Sequence, residues 1–421
     1  SKSDRKKPKA LRIGIGRDVS RETLKPMSSL KWQVLSNGAK VSRMEITSPD
    51  AFGLRVGIRT IGLTTGSELR FSGSDAPDQV IAAVTGEETR LLVDAKNSYW
   101  TPGTDGETQF IEIYLPKGAL AANVRVNVTS VSHLLTNAKE NFVVKGAAEQ
   151  TCMFNVICRA AELGANFVNA ENSVARITFV GPDPDNPSQM ATFLCTGTLL
   201  ADTVAATQVP YFYTADHCID NQTLASTMNF YWNYETTTCP INATATLPSP
   251  QTGGATYLYS ENGTTGTDGS LLRINSAPPA GTFFAGWDSA VLANNATIYG
   301  IHHPEGFPKK ISQGIKETQD AGNHQVGWSN GTTLGGRSGF EMFTIGVDGV
   351  WYLRGGLYGG TASCANDGNP ATAGNDDYYS RFDVMYPSIQ QWLNPVVTTG
   401  PTVSHTGPWY NPAESGWGLT W

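Results

Sequence analysis

Apolar and polar positions alternate along this chain in short runs that break at Gly, Asp, Asn or Pro. In the first third, "KWQVLSNGAKVSRMEI", "GLRVGIRTI", "ELRFSG", "TRLLVDA", "TQFIEIYLP" and "NVRVNVTSVSHLL" follow this pattern. A period of two turns one face of each run inward, so these segments predict strands. Their turn-punctuated succession predicts a β-sandwich over residues 31–136, jelly-roll in order. β-type runs resume after residue 150 and continue to about Trp392, where "SIQQWLNP" predicts one late helix closed by a proline. The expected class is all-β.

Composition agrees with that class and separates the chain into units. Among 421 residues, 44 glycines and 23 prolines provide the turns, and only 16% of positions are charged. "NAKENFVVKGAAEQT" (residues 137–151) is small and polar and predicts an exposed connector. "VVTTGPTVSHTGP" predicts a linker, and "WYNPAESGWGLTW" the opening of a further module. The net charge of −7 is spread along the chain apart from the basic start "SKSDRKKPKALR", which argues against a nucleic-acid partner. No run approaches the roughly 20 apolar residues of a membrane span, and the first residues lack a signal-peptide pattern.

Six cysteines, Cys152, Cys158, Cys195, Cys218, Cys239 and Cys364, form no C-x-x-C pair, so metal spacing is absent. An even count without metal spacing predicts three disulfides and an oxidising compartment. All six lie beyond residue 150, which leaves the first unit stabilised by packing alone. His302 and His303 are adjacent and point to opposite faces of a strand, a poor arrangement for chelation. His133, the first unit's histidine, reads as structural. No metal and no cofactor are expected.

The candidate chemistry centres on His217 in "YFYTADHCID". A general base needs a carboxylate to orient it and a hydroxyl to deprotonate. Asp268 in "GTDGSLLRI" stands at a turn entering an apolar strand, where a carboxylate can be buried beside an imidazole. Ser338 in "LGGRSGFEMF" is flanked by glycines, which let the backbone N–H groups of Gly336 and Ser338 approach a developing oxyanion. His, Asp, Ser in that order along a β-rich chain is the chymotrypsin arrangement.

With these residues in place, the chain resembles the bacterial lysyl endopeptidase family over residues 152–395. The resemblance rests on "CTGTLL", "YFYTADHC", "NFYWNYE", "TDGSLLRI", "FFAGWD", "GIHHPEG", "GGRSG", "GGTASCAN" and "DDYYSRFDV". It implies a secreted, trypsin-like serine endopeptidase of two β-barrels with the triad His217, Asp268 and Ser338. It also implies disulfides Cys152–Cys364, Cys158–Cys239 and Cys195–Cys218. Substrate binding is expected from Asp377, with Asp376 as its rival, and from Tyr358 and Gly359. Specificity is for Lys, with Arg left open.

The same resemblance makes residues 1–145 a propeptide, 146–395 the protease and 396–421 a linker with the start of a truncated module. Cleavage is expected between Lys145 and Gly146, with Lys139 the alternative. The propeptide acts as an intramolecular inhibitor, its sandwich lying against or near the cleft, and the enzyme as a monomer acting on protein or peptide substrates. Departures are visible as well. Phe340 and Glu341 replace a small residue and a proline, Tyr358 replaces a histidine, and Arg337 stands where trypsin-like zymogens carry an acid that receives the new N-terminus. The competing reading is a catalytically silent, protease-shaped binding or adhesion protein.

Overall fold

The computed structural model describes residues 10–17, 19, 30–137, 150–204, 206, 208–240, 243–246, 248–333 and 341–395, and the backbone of 408–410 and 418–420. In the N-terminal unit the strands are β1 (Leu11–Arg12), β2 (Gly14–Arg17), β3 (Gln33–Val34), β4 (Lys40–Thr47), β5 (Gly53–Ile61), β6 (Glu68–Gly73), β7 (Ala82–Thr85), β8 (Tyr99–Trp100), β9 (Thr104–Asp105), β10 (Thr108–Leu115) and β11 (Arg125–Leu134). One sheet runs β3-β4-β10-β6-β7. The other runs β2-β11-β5-β8, with β9 also on β5. Alternation appears cleanly in β10, where Gln109, Ile111, Ile113 and Leu115 point inward. They meet Leu54, Val56, Ile58, Leu69 and Phe71 in a shared core, which makes the unit a β-sandwich.

Two readings of this unit change. "TRLLVDA" is not a strand, because Glu88–Leu91 forms a helical turn. Thr85 and Glu88 make a reciprocal capping box: the Glu88 carboxylate accepts from Thr85 N at 2.6 Å, and Thr85 Oγ1 accepts from Glu88 N at 3.2 Å. The sandwich also begins ahead of residue 31, since β2 pairs with β11 and extends it.

The second unit begins with β12 (Phe154–Asn155) and two short helices, Ile157–Leu163 and Ala165–Glu171, that strand periodicity did not predict. Gly164 separates them at φ 76°, a conformation that favours glycine and closes the first helix. Six strands, β13 (Val174–Pro182), β14 (Met190–Leu200), β15 (Tyr211–Ala215), β16 (Asn229–Trp232), β17 (Ala255–Ser260) and β18 (Gly269–Ile274), pair in the order β16-β13-β14-β15-β18-β17. A bridge between Phe230 and Gln251 brings the two ends of that order together.

After β19 (Gly286–Trp287), a second set follows: β20 (Thr297–His302), β21 (Lys310–Gln319), β22 (Asn323–Asn330), β23 (Glu341–Ile345), β24 (Trp351–Gly360) and β25 (Asp377–Ser380). Because β21 pairs with both β20 and β22, these six close into a barrel. Phe212, Phe230 and Trp232 fill the first barrel, and Trp328, Met342, Leu357 and Tyr379 the second. Between the barrels, Tyr213, Phe343, Trp351 and Phe382 share another core. The late helix, Phe382–Leu393, starts earlier than "SIQQ" suggested, carries Pro387 inside it, and buries Phe382, Met385, Ile389 and Leu393.

The two units meet along β14. β1 adds to it in antiparallel register, Leu11 opposite Leu194 and Arg12 opposite Phe193. Arg12 pairs with Asp183 at 2.7 Å and Asp185 at 2.5 Å. The buried Arg55 guanidinium donates to Thr101 O and, across the boundary, to Thr227 O, both at 2.8 Å. Trp100 packs on Val180 and Met190. Disulfides join Cys152 to Cys364, Cys158 to Cys239 and Cys195 to Cys218.

Candidate active site

His217 and Asp268 come from neighbouring strands of the first barrel. β15 pairs with β18, Ala215 opposite Gly269, so the residues that leave β15 and enter β18 are brought together. Asp216 N donates to Asp268 O at 2.8 Å, which locks the two turns. Asp268 sits at φ 68°, in the left-handed region that Asp tolerates better than most residues. Its neighbour favours glycine: a Cβ at Gly269 would lie 2.3 Å from Met385 Sδ and 2.5 Å from Tyr213 Oη, so both side chains would have to shift. On the other flank, the Cys195–Cys218 disulfide ties the residue after His217 to β14.

His217 Nδ1 lies 2.6 Å from Asp268 Oδ2, and His217 N donates to Asp268 Oδ1 at 3.2 Å. An ionised carboxylate only accepts, so the ring proton belongs on Nδ1 and Nε2 keeps its lone pair. Nε2 is buried and has no hydrogen-bond partner among the described residues. Burial pushes the Asp268 carboxyl above its usual range, and the contacts with His217 pull it back. Asp216, which also faces this region, is held up by burial and is bonded by the Ser260 hydroxyl. Ser338 and Gly336, and with them Arg337 and Phe340, lie outside the described residues, as do Lys139, Lys145 and Gly146.

The two adjacent acids part company. Asp377 is fully buried at the start of β25, where Oδ2 accepts from Trp328 Nε1 at 2.7 Å and from the Thr333 hydroxyl. Its Oδ1 is buried and lacks a direct hydrogen-bond partner among the described residues. Burial pushes this carboxyl up to about 6, against the pull of Thr333, Trp328 and the Ala362 amide. Asp376 turns the other way and accepts from Gln325 Nε2 at 2.7 Å. Tyr358 lies close to Asp268: a Cβ at Gly263 would lie 2.5 Å from its ring and 2.9 Å from Asp268 Cβ. Gly359, next along β24, lies opposite Tyr378.

His302 and His303 are both buried. Burial takes His302 down to about 3, and His303 stacks on Tyr234 at 5.8 Å. Among the described residues no group of three or more His, Cys, Asp or Glu is placed to hold a metal. The N-terminal unit makes no strand pairing, hydrogen bond or ion pair with His217, Asp268 or Asp377 among those residues. Sequence pattern did not single out Ser380, whose Oγ lies 2.7 Å from Tyr213 Oη and accepts from Gly356 N at 2.8 Å. Nor did it single out Trp328 or Thr333 as partners of Asp377, since only closure of the barrel brings them to it.

Two β-barrels with a buried His–Asp pair where the strands meet are the architecture of the chymotrypsin-like serine proteases. The family follows from comparison with known proteins. The model for the lysyl endopeptidase C-terminal domain matches residues 146–380, and the model for the lysyl endopeptidase N-terminal domain matches residues 1–135. The chain therefore belongs to the lysyl endopeptidase family, and it is a serine endopeptidase. A lysyl endopeptidase of Pseudomonas aeruginosa is 29% identical over 403 residues, covering 91% of this chain and 82% of that protein. Among solved structures, the active form of the Rv3671c protease from M. tuberculosis is similar over 56% of this chain and 86% of its own, at 11% identity and a TM-score of 0.35. That likeness is too distant to bear on the site.

Glu341, where the family pattern has a proline, is fully buried on β23 opposite Ile301 and Gly356, and neither carboxylate oxygen has a hydrogen-bond partner among the described residues. Burial alone raises its pKa well above the ordinary carboxyl value. The folded protein thus holds a proton there that the unfolded chain releases near pH 4.5. Stability from this group is complete below that pH and is lost as pH climbs toward the folded-state value. Glu341→Gln should remove the dependence. Urea unfolding of wild type and variant from pH 4 to pH 9 is expected to show a gap that grows in the variant's favour as pH rises; a constant gap would refute the account.

Proposed function

We propose that this protein is the proenzyme of a secreted endopeptidase that cleaves after lysine through His217, Asp268 and Ser338. The observation that carries this reading is the His217–Asp268 contact at 2.6 Å with Nε2 left as a buried acceptor. Ser338 Oγ attacks the scissile carbonyl while His217 Nε2 takes its proton and later returns it to the leaving amine. Asp268 holds the tautomer and stabilises the imidazolium, and the N–H groups of Gly336 and Ser338 receive the oxyanion. Peptidase activity of Ser338→Ala should fall by about 10⁴-fold or more with unchanged folding. Hydrolysis of a lysyl ester at near wild-type rate by that variant would refute the assignment.

Asp377 is the partner for the substrate ammonium. Its buried Oδ1, which has no direct hydrogen-bond partner among the described residues, supports the role, because an acceptor with spare capacity in a dry site gains most from a cation. Tyr358 and Gly359 line the approach. Because the carboxyl ionises near pH 6, the KM for a lysyl substrate should fall as pH rises through that value. Asp377→Asn should abolish the dependence and cost on the order of 10²-fold in kcat/KM. Unchanged lysine preference in Asp377→Asn would exclude this residue.

Residues 1–145 restrain the protease until the chain is cut between Lys145 and Gly146. Support for the restraint comes from β14: β1 pairs beside Cys195, and the disulfide of Cys195 reaches Cys218, the neighbour of His217. Control through this strand fits the contacts better than a plug over the cleft. Edman sequencing of matured protein should begin at Gly146, and purified Ser338→Ala should remain uncut. A different first residue argues against this bond, and full processing of Ser338→Ala without added protease argues against self-cleavage.

A further inference from the structure

The seam between the two units holds a cavity of about 230 Å³ that the peptidase chemistry does not use. Its lining includes Arg17, Arg59, Lys96, Ser98, Thr129 and Ser188, and no carboxylate among the described residues. Three basic side chains thus face one recess in a chain of net charge −7. Asp94 is the acid closest in sequence to Lys96, and its oxygens are already engaged. Oδ1 accepts from Lys96 N at 2.8 Å and Ser98 N at 2.9 Å, and Oδ2 from Trp100 Nε1 at 2.8 Å.

Two of the three cations, Arg59 and Lys96, are held in place by backbone oxygens. Arg59 donates to Lys96 O at 2.7 Å, and Lys96 Nζ crosses the seam to Ser188 O at 2.9 Å. β11 bulges between Val128 and Ser130, which takes Thr129 out of the ladder and sets its hydroxyl 2.7 Å from Ser98 Oγ. Guanidinium, ammonium and hydroxyl groups therefore converge on a recess whose walls focus positive potential. Such donors suit a ligand that offers only acceptors. At about 30 Å³ per water the space equals roughly eight waters, enough for one compact anion with part of its hydration shell.

We propose that this seam binds a single tetrahedral oxyanion, either free phosphate or the sulfate ester of a glycan, and that the anion holds the N-terminal unit on the catalytic unit. Arg17, Arg59 and Lys96 belong to one wall, and Ser188, Gln189 and Met190 to the other. An anion touching both walls binds the docked arrangement better than the separated one, so by linkage it stabilises docking.

The test uses the full chain, checked for integrity by electrophoresis, in calorimetric titrations with inorganic phosphate or a sulfated disaccharide, with chloride holding ionic strength constant. One saturable site is expected. Binding of phosphate alone identifies the free ion, and tighter binding of the disaccharide identifies the ester. Arg17→Gln combined with Arg59→Gln should weaken binding about tenfold or more while leaving the far-ultraviolet circular dichroism spectrum unchanged. Absence of saturable heat with both probes, or undiminished affinity in the double variant, overturns the site. Hydrogen exchange at Leu11–Ile13 should slow on phosphate binding; exchange that is unchanged while phosphate binds overturns the link to docking.

Discussion

The buried contact between His217 and Asp268 constrains everything around it. A carboxylate can stay charged away from water only if a partner is fixed against it, and the fold supplies that fixation from three directions. β15 and β18 are paired up to the residues concerned, Gly269 lets Tyr213 and Met385 close in behind, and the Cys195–Cys218 bridge anchors the segment after His217. Loosening any of these separates two groups that must remain within hydrogen-bond reach. The barrel is thus the means by which an imidazole acquires a defined tautomer.

The buried acids of the catalytic unit differ mainly in how their charge is compensated. Asp268 has an imidazole, Asp377 has an indole and a hydroxyl, and Glu341 has no hydrogen-bond partner among the described residues. Glu171 is raised to about 7 by burial, and Lys309 draws it back only in part. Where compensation is directional the acid suits recognition or catalysis. Where it is absent the acid stays neutral and acts as a polar filler, which is how Glu341 can occupy a position that the family pattern gives to proline.

The boundary between the units is more polar than either core. Arg55 is buried there with its pKa drawn down to about 10 by burial, and the guanidinium of Arg176 lies 4.4 Å from the Tyr231 ring and 4.6 Å from Tyr234. Strand addition and charged hydrogen bonds give such a surface geometric specificity, while the apolar patch of Trp100, Val180 and Met190 remains small. This composition resembles the interfaces of parts that can separate more than the inside of one domain.

Local chemistry along the chain determined much of this protein. Period-two alternation marked most strands of the sandwich, turn residues marked their limits, and the residue order His217, Asp268, Ser338 identified the candidate chemistry before any strand was placed. Where local signals competed, the weaker reading lost: "TRLLVDA" alternates too little to outweigh the capping box of Thr85 and Glu88, and Gly164 lets two short helices stand where strands were expected. Tertiary structure alone decided the rest. Which of Asp376 and Asp377 is buried depends on barrel closure bringing Trp328 and Thr333 to one of them. The docking of β1 on β14 depends on a free edge far along the chain, at Phe193 and Leu194, and no pattern within "ALRIGIGR" can encode such an edge. Alternation and capping act over a few residues and are readable in order, whereas burial and edge pairing exist only once distant segments have met.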